Sequence, residues 1–383
     1  MTKYLYAPIL VALLAHAPSP VYANSVPITG INPGFSPVDL MAMDALVLAW
    51  MRETGTPGIS IAFSRHGALV LTRGYGYADI ERQEPVTPKH RFRIASISKP
   101  ITAVAIAKVI EQKNLAWNSK VFGRHGMLGT RYGSQPNKAW QLELTVDHLL
   151  THTSGAWPNN QDDPMFSYPY WSMTQLINHT LDHAQNTAQP GTQYAYSNFG
   201  YALLGRIIEH RTGKSYQRFV REQVLGPMGI RDMVIGGNTL SERHPYEVRY
   251  YPERVSYGMN ITRMAANGGW VSSPRDLLRF MANVDGRPGV PDQLHSALLN
   301  RLYTPWKTDE KYARGWSVNK RPNYWHRGSL PGTLAILVHT HDGYGWAALA
   351  NSRPQNEEAR GKLSRLMWNI KRTFQFWPPV NLF

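Results

Sequence analysis

The 383-residue chain contains no cysteine. Disulfide bonds, thiol catalysis, thiolate metal ligands and lipid attachment through a cysteine are therefore excluded. A chain of this length can rest on its apolar core, so the absence is compatible with an oxidising compartment. Acidic charge is scarce: 26 Asp and Glu stand against 41 Lys and Arg, a formal net charge of +15. No internal repeat is visible, and glycine and proline are dispersed along the chain instead of forming a linker tract. No apolar run reaches the roughly 20 residues that a bilayer-spanning helix needs. The G-x-S-x-G elbow is missing, which argues against a Ser-His-Asp triad on an α/β-hydrolase fold.

What is present describes a folded protein of one or two structural domains, with 43% hydrophobic and 17% charged residues. Lys3, the apolar stretch from Tyr4 to Ala15 and the small residues around Val21-Tyr22-Ala23 predict a signal peptide over residues 1–23, cleaved after Ala23. The chain is then expected to be periplasmic or secreted. Removing Lys3 leaves a mature charge of +14 (15 minus 1). Such a surface can meet anionic lipid or cell-wall polymer, so peripheral membrane contact is open. The basic residues are scattered and no nucleic-acid recognition motif occurs, so nucleic acid is not expected as a partner. The aromatic tail Phe374-Gln375-Phe376-Trp377 is expected to pack back on the body.

Periodicity gives the architecture. Residues 39–54 have helical apolar spacing, and Ile59 to Phe63 and Ala68 to Thr72 flank Arg65-His66-Gly67 as a hairpin. Short β-prone runs return at Trp316 to Val318, Tyr324 to His326, Thr333 to His339 and Gly345 to Ala350, before a last amphipathic helix over residues 357–374. Between them the chain favours helix at Ile101 to Ile110, Val146 to Leu150, Gly200 to Arg211 and Tyr216 to Leu225. Another helix opens at Ser273-Pro274-Arg275-Asp276, where serine caps, proline suits the first turn and aspartate complements the dipole. The expected fold is α/β (α+β): an antiparallel sheet flanked by helices, built from the N- and C-terminal parts, with an inserted helical region. One domain is predicted over residues 24–383, with the sheet part at about 39–95 and 312–383 and the helical part at about 96–311.

Ser96-Ile97-Ser98-Lys99 precedes a strongly apolar helix. Residues three apart share a face, so the Ser96 hydroxyl and Lys99 amine can meet, and a buried lysine can serve as the base that a serine nucleophile needs. Pro100 requires the helix to start near Ser96, where unpaired N–H groups and the positive dipole end favour developing negative charge. In Tyr194-Ala195-Tyr196-Ser197-Asn198, a phenol can relay a proton if nearby cations lower its pKa, and an asparagine two residues on can bind a substrate amide. The same stretch also reads as a helix start capped by Ser197 or Asn198. In His326-Arg327-Gly328-Ser329, glycine lets substrate approach the backbone, and the next N–H can form an oxyanion hole with that of Ser96.

The three elements in this order resemble the serine β-lactamase and penicillin-binding superfamily, in its class C-like and esterase branch. There the patterns are Ser-x-x-Lys, Tyr-x-Asn and Lys-Thr-Gly or His-x-Gly. FRIASISKPITAVAI, LTVDHLLTHTSG, PGTQYAYSNFGYALLG, GGWVSSPRDLLRF and HRGSLPG look like its sequence blocks and cover most of residues 40–350. The resemblance implies an α/β sheet domain beside a helical domain with the site between them. It implies Ser96 as nucleophile, Lys99 and Tyr196 as the proton-transfer pair, Asn198 as a substrate ligand, and the N–H groups of Ser96 and Ser329 as the oxyanion hole.

One position departs from the pattern. Lactam-hydrolysing members usually carry lysine where this chain has His326, and histidine is mostly neutral near pH 7. Arg327 is its strand neighbour and points to the opposite face, although a twisted strand end could still bring it to a carboxylate. The expected activity is therefore hydrolysis of esters, amides or D-amino-acid peptides through an acyl-enzyme on Ser96. A class C-like β-lactamase or D-alanyl-D-alanine carboxypeptidase is the alternative, and a catalytically inactive cell-wall-binding or regulatory relative is another. The candidate residues are Ser96, Lys99 and Tyr196 for chemistry and Asn198, His326, Gly328 and Ser329 for substrate. No cofactor or metal is expected. His148 and His152 stand four apart, but no third ligand or H-E-x-x-H pattern accompanies them and both fit a helix that Gly155 stops. His339 and His341 are expected at a surface or sheet edge.

Overall fold

The computed structural model describes residues 26–30, 32–159, 162–355 and 357–383. The predicted signal peptide, residues 1–23, lies outside them. The strands are β1 (Ile28–Thr29), β2 (Gly58–Arg65), β3 (Ala68–Asp79), β4 (Glu84–Pro85), β5 (Phe92–Arg93), β6 (Val234–Ile235), β7 (Trp270–Ser272), β8 (Ser317–Val318), β9 (Tyr324–Leu330), β10 (Thr333–His339) and β11 (Tyr344–Ala350). The first helices are α1 (Pro37–Thr54), α2 (Ser98–Glu111), α3 (Ala139–Glu143), α4 (Val146–Leu150), α5 (Met173–His183) and α6 (Asn198–Thr212). They are followed by α7 (Tyr216–Val220), α8 (Glu253–Ser256), α9 (Pro274–Ala282), α10 (Ser296–Tyr303) and α11 (Glu357–Thr373).

The expected hairpin forms because His66 and Gly67 both take positive φ, 47° and 80°, as a type I′ two-residue turn requires. Arg65 then faces Ala68. The large antiparallel sheet runs in the order β1-β3-β2-β11-β10-β9-β8. Its central seam joins the two ends of the chain, with Ile59 opposite Ala350 and Phe63 opposite Trp346. Helices α2 to α10 belong to the excursion between β3 and β8, so the fold is α+β with the sheet made from both ends of the sequence.

Both faces of the sheet are buried, and side-chain alternation sorts them into two cores. On the outer face, Ile59, Ile61, Phe63, Leu334, Ile336, Val338, Trp346 and Ala348 pack with Met43, Val47, Met367 and Ile370 of α1 and α11. Trp377 of the tail joins this core, so the tail does fold back on the body. On the inner face, Ala62, Ala335, Leu337, Ala347 and Leu349 meet the helical part. There α2 is buried all round from Ser98 to Ala107, which makes it the central helix of the helical part.

Three local expectations are corrected. Helix α4 stops at Leu150, and His152 has a left-handed φ of 58°, so His148 and His152 do not share a helical face. Residues 216–225 form α7 and then a π-helical turn, Arg221–Leu225. His339 is not an edge residue: β10 lies between β9 and β11, which leaves the side chain buried, with Nε2 3.3 Å from Asp285. The small sheet β5-β7-β6 had no signal in the sequence, since two- and three-residue strands carry no period. Among the described residues no helix is long and apolar enough to cross a membrane.

Candidate active site

The site grows from the end of β5. Ile94 donates its N–H to Trp270 O of β7 at 2.9 Å, and Ala95 then turns with a φ of 48°, an uncommon conformation for a residue with a Cβ. Ala95–Ile97 form a single 3₁₀ turn that runs into α2, so Ser96 stands just before the helix. Pro100 is accommodated because the first N–H groups of a helix have no intrahelical partner. Ser98 adds an anchor, its Oγ accepting the Trp270 N–H at 3.2 Å.

Lys99 is completely buried, and its Nζ contacts three oxygens: Ser96 Oγ at 3.1 Å, Asn198 Oδ1 at 2.6 Å and Asn267 O at 2.9 Å. Burial lowers its pKa to about 7, against the opposing pull of the Asp163 carboxylate. The geometry suits both protonation states. As an ammonium, Lys99 donates to all three oxygens. As an amine, it keeps the two donations to Asn198 and Asn267, and its lone pair faces the Ser96 hydroxyl, the one partner of the three that can reverse direction.

The Tyr194–Asn198 stretch starts α6. Ser197 is the cap, its Oγ accepting the Gly200 N–H at 3.2 Å, and Asn198 is the first helical residue. The Asn198 amide is engaged on both sides: Oδ1 accepts from Lys99, and Nδ2 donates to Asp163 Oδ2 at 2.6 Å. Its backbone N–H donates to Asn159 Oδ1 at 2.8 Å. Tyr196 lies under Lys99, with Nζ 4.7 Å from the ring centroid. The lowered pKa that would favour proton relay is not found here. Burial pushes the phenol well above its ordinary value and its hydrogen bond to Ser96 offsets only part, so Tyr196 stands as a neutral phenol.

At the end of β9, His326 is buried and Arg327 exposed, as strand alternation requires. Burial, with Lys99 nearby, holds His326 neutral by lowering its pKa to about 3. Gly328 has a reason other than the expected one: a Cβ there would come within 2.1 Å of Ile94 O, so glycine lets β9 approach the turn that carries Ser96.

These pieces enclose a cleft of about 500 Å³ lined by Ser96, Asp163, Tyr196, Asn198, Arg327 and Ser329. Of the seven residues expected here, Ser96, Tyr196, Asn198 and Ser329 line the cleft, while Lys99, His326 and Gly328 support it from behind. Two buried polar atoms of cleft residues, Ser329 Oγ and Asn267 Oδ1, have no hydrogen-bond partner among the described residues. Arg327 lines both this cleft and a second cavity against α11.

Asp163, Asn159 and Asn267 were not legible as site residues. Asp163 caps a 3₁₀ turn at Pro164–Phe166, its Oδ1 accepting the Met165 N–H at 3.0 Å, and that is all its sequence context announces. Its loop is held by buried Arg263, whose guanidinium donates to the carbonyls of Met165, Ser167, Tyr168 and Trp171 at 2.7–3.1 Å. Among the described residues no three His, Asp or Glu side chains converge as a metal ion would need.

Known proteins share the family and the fold of this chain. The family model described as Beta-lactamase matches residues 43–366. The chain is 26% identical over 320 residues to Protein flp of Staphylococcus aureus strain NCTC 8325, covering 81% of this chain and 62% of that protein. It is 25% identical over 309 residues to penicillin-binding protein 4* of Bacillus subtilis strain 168, covering 72% and 64%. It therefore spans less than two thirds of the length of these curated relatives. Among solved structures, the octameric penicillin-binding protein homologue from Pyrococcus abyssi superposes with a TM-score of 0.67 at 25% identity, over 86% of this chain and 78% of that one. The D-amino acid amidase from Ochrobactrum anthropi SV3, complexed with L-phenylalanine amide, shares the fold with a TM-score of 0.71 at 23% identity, over 88% and 99%.

Proposed function

The chain belongs to the Beta-lactamase family, and from that premise we propose that it is an exported serine hydrolase acting through an acyl-enzyme on Ser96. The observation that carries this reading is the buried Lys99, 3.1 Å from Ser96 Oγ, with a pKa lowered to about 7. An amine half deprotonated at neutral pH can accept the hydroxyl proton as Ser96 attacks a carbonyl. The proton then passes through Lys99 and the neutral Tyr196 phenol to the leaving group, which departs as the amine or alcohol. Water adds to the acyl carbon, its proton returns to Ser96 Oγ by the same pair, and the carboxylic acid leaves. The N–H groups of Ser96 and Ser329 are the oxyanion donors in this scheme.

The substrate class is esters, amides and D-amino-acid peptides. Neutral His326 supports it, because the position where lactam-hydrolysing members usually carry a lysine holds no cation here. The D-amino acid amidase that shares the fold gives the amide reading an analogue. One observation favours a second reading: exposed Arg327 lines the cleft and suits a substrate carboxylate, as a β-lactam or a D-alanyl-D-alanine peptide would present. The test is a panel of p-nitrophenyl esters, D-amino acid amides, nitrocefin and D-Ala-D-Ala peptides, with intact-protein mass spectrometry for an adduct on Ser96. An acyl adduct that disappears in Ser96→Ala is the expected result; turnover by Ser96→Ala at the wild-type rate would overturn the mechanism.

A further inference from the structure

Behind the cleft, two buried histidines face one buried phenol. His152 Nε2 lies 3.2 Å from Tyr312 Oη, which lies 3.1 Å from His326 Nε2. The outer nitrogens meet the backbone: the Ser197 N–H donates to His152 Nδ1 at 3.1 Å, and His326 Nδ1 lies 2.7 Å from Arg327 O.

Those two backbone contacts fix every proton between them. An N–H can only donate, so His152 Nδ1 is bare. A carbonyl can only accept, so His326 Nδ1 carries hydrogen. Both rings are enclosed near Lys99, and burial keeps both neutral. A neutral His152 therefore has its proton on Nε2 and donates it to Tyr312. A neutral His326 has a bare Nε2 and receives the Tyr312 proton. Tyr201, another hydroxyl beside Tyr312, donates its own proton to Leu150 O at 2.7 Å, so toward Tyr312 it can only accept, and it shares the Tyr312 proton with His326 Nε2, which has no other donor. The hydrogen bonds thus run one way, from Ser197 through His152, Tyr312 and His326 to Arg327.

We propose that Tyr312 is a positioning residue: its hydroxyl locks His152 and His326 in opposite tautomers and so ties the end of β9, with Gly328 and Ser329, to the start of α6, with Tyr196 and Asn198. The phenol has a firm base. Arg314, two residues on, is buried against Asp147 of α4, its Nε and Nη2 donating to the carboxylate at 2.5 and 2.7 Å. The arrangement also gives His326 a definite role. Both ring nitrogens are occupied inside the protein, so it acts through Tyr312 and the strand, and a lysine ammonium there could not accept the Tyr312 proton.

The test has a spectroscopic arm and a kinetic arm. In two-bond ¹H–¹⁵N spectra of histidine-labelled wild-type protein at pH 7, His326 is expected as the Nδ1–H tautomer and His152 as the Nε2–H tautomer, each assigned by loss of its signals in His326→Asn and His152→Gln. The opposite tautomer at either ring, or a cation, would overturn the relay. The kinetic arm rests on the hydrolase reading. Tyr312→Phe is expected to lower kcat about 10- to 100-fold with KM little changed, as small misplacements of reacting groups do. His326→Asn, which keeps one donor and one acceptor, should retain more activity than His326→Lys. Wild-type kcat in a folded Tyr312→Phe protein, or equal activity of the two His326 variants, would overturn the positioning role. If wild-type protein turned over no member of the panel, the hydrolase reading would fail while the spectra still decided the relay.

Discussion

Both faces of the large sheet are buried and largely apolar, but at β9 the inner face carries a polar network that the outer face lacks there. The outer face holds Ile59, Ile61, Phe63, Ile336, Val338 and Trp346 against α1 and α11, with one polar cluster, Arg73 and Tyr75 on Asp44 of α1, at β3. On the inner face at β9, buried His326, Lys99, Asn198 and Arg314 are joined by hydrogen bonds that cross from one element to another. An apolar layer stabilises in proportion to the area that it removes from water and tolerates small shifts. A buried polar network is stable only when each group is satisfied, and in return it holds its atoms at fixed distances. The comparison teaches that this chain separates stability from chemistry by the face of one sheet.

The strongest way to break that separation is to remove the reacting atoms. Ser96→Ala should lower kcat by at least about a thousandfold while the melting temperature stays near wild type, because nucleophile and base act as a unit. Steady-state kinetics beside differential scanning calorimetry check both halves. Lys99→Ala should slow acylation to a similar degree, read as the rate of appearance of the Ser96 adduct.

Variants behind the site should couple the two properties. Asp147→Ala leaves Arg314 buried without its bidentate partner, which is expected to cost roughly 3–5 kcal/mol of stability. Because Arg314 steadies the segment carrying Tyr312, kcat should fall in the same variant. On the outer face, Phe63→Ala removes a fully buried ring at a cost of about 3–5 kcal/mol. Its kcat and KM, measured well below the melting temperature, should match wild type. Chemical denaturation with parallel kinetics on both variants tests the contrast; a kinetic defect in Phe63→Ala as large as that in Asp147→Ala would erase it.

The same difference explains what the sequence made legible. The sheet and the helices that cover it are written in local signals: the apolar β-prone runs of β2 and β10, the turn residues His66 and Gly67, the cap and proline of α9. The Ser96–Lys99 pair is local as well, three residues apart at a helix start. The rest of the site is not. Lys99 meets Asn198 across 99 positions and Asn267 across 168, and no spacing rule reaches that far. Tyr312, His152 and Asp163 have ordinary surroundings in the chain and gain their meaning from what folds against them. His339 was misplaced for a related reason, since its strand alone does not show that two others flank it.

The finest test of the comparison is a change of charge without loss of a group. Asp163 opposes the effect of burial on Lys99, since a nearby anion favours the ammonium form. With the Lys99 pKa at about 7, the acylation rate should climb tenfold per pH unit below that value and level off above it, as free amine replaces ammonium. Asp163→Asn removes the anion while leaving an amide of similar shape, so Lys99 needs more acid to become protonated: its pKa should fall and the midpoint of the profile should move to lower pH. The plateau should change less than in any variant above. A midpoint that stayed in place would mean that the carboxylate does not act on Lys99, and a midpoint that rose would mean that Lys99 is not the titrating base. Either outcome would return the inner face to a packing role and leave its chemistry to other groups.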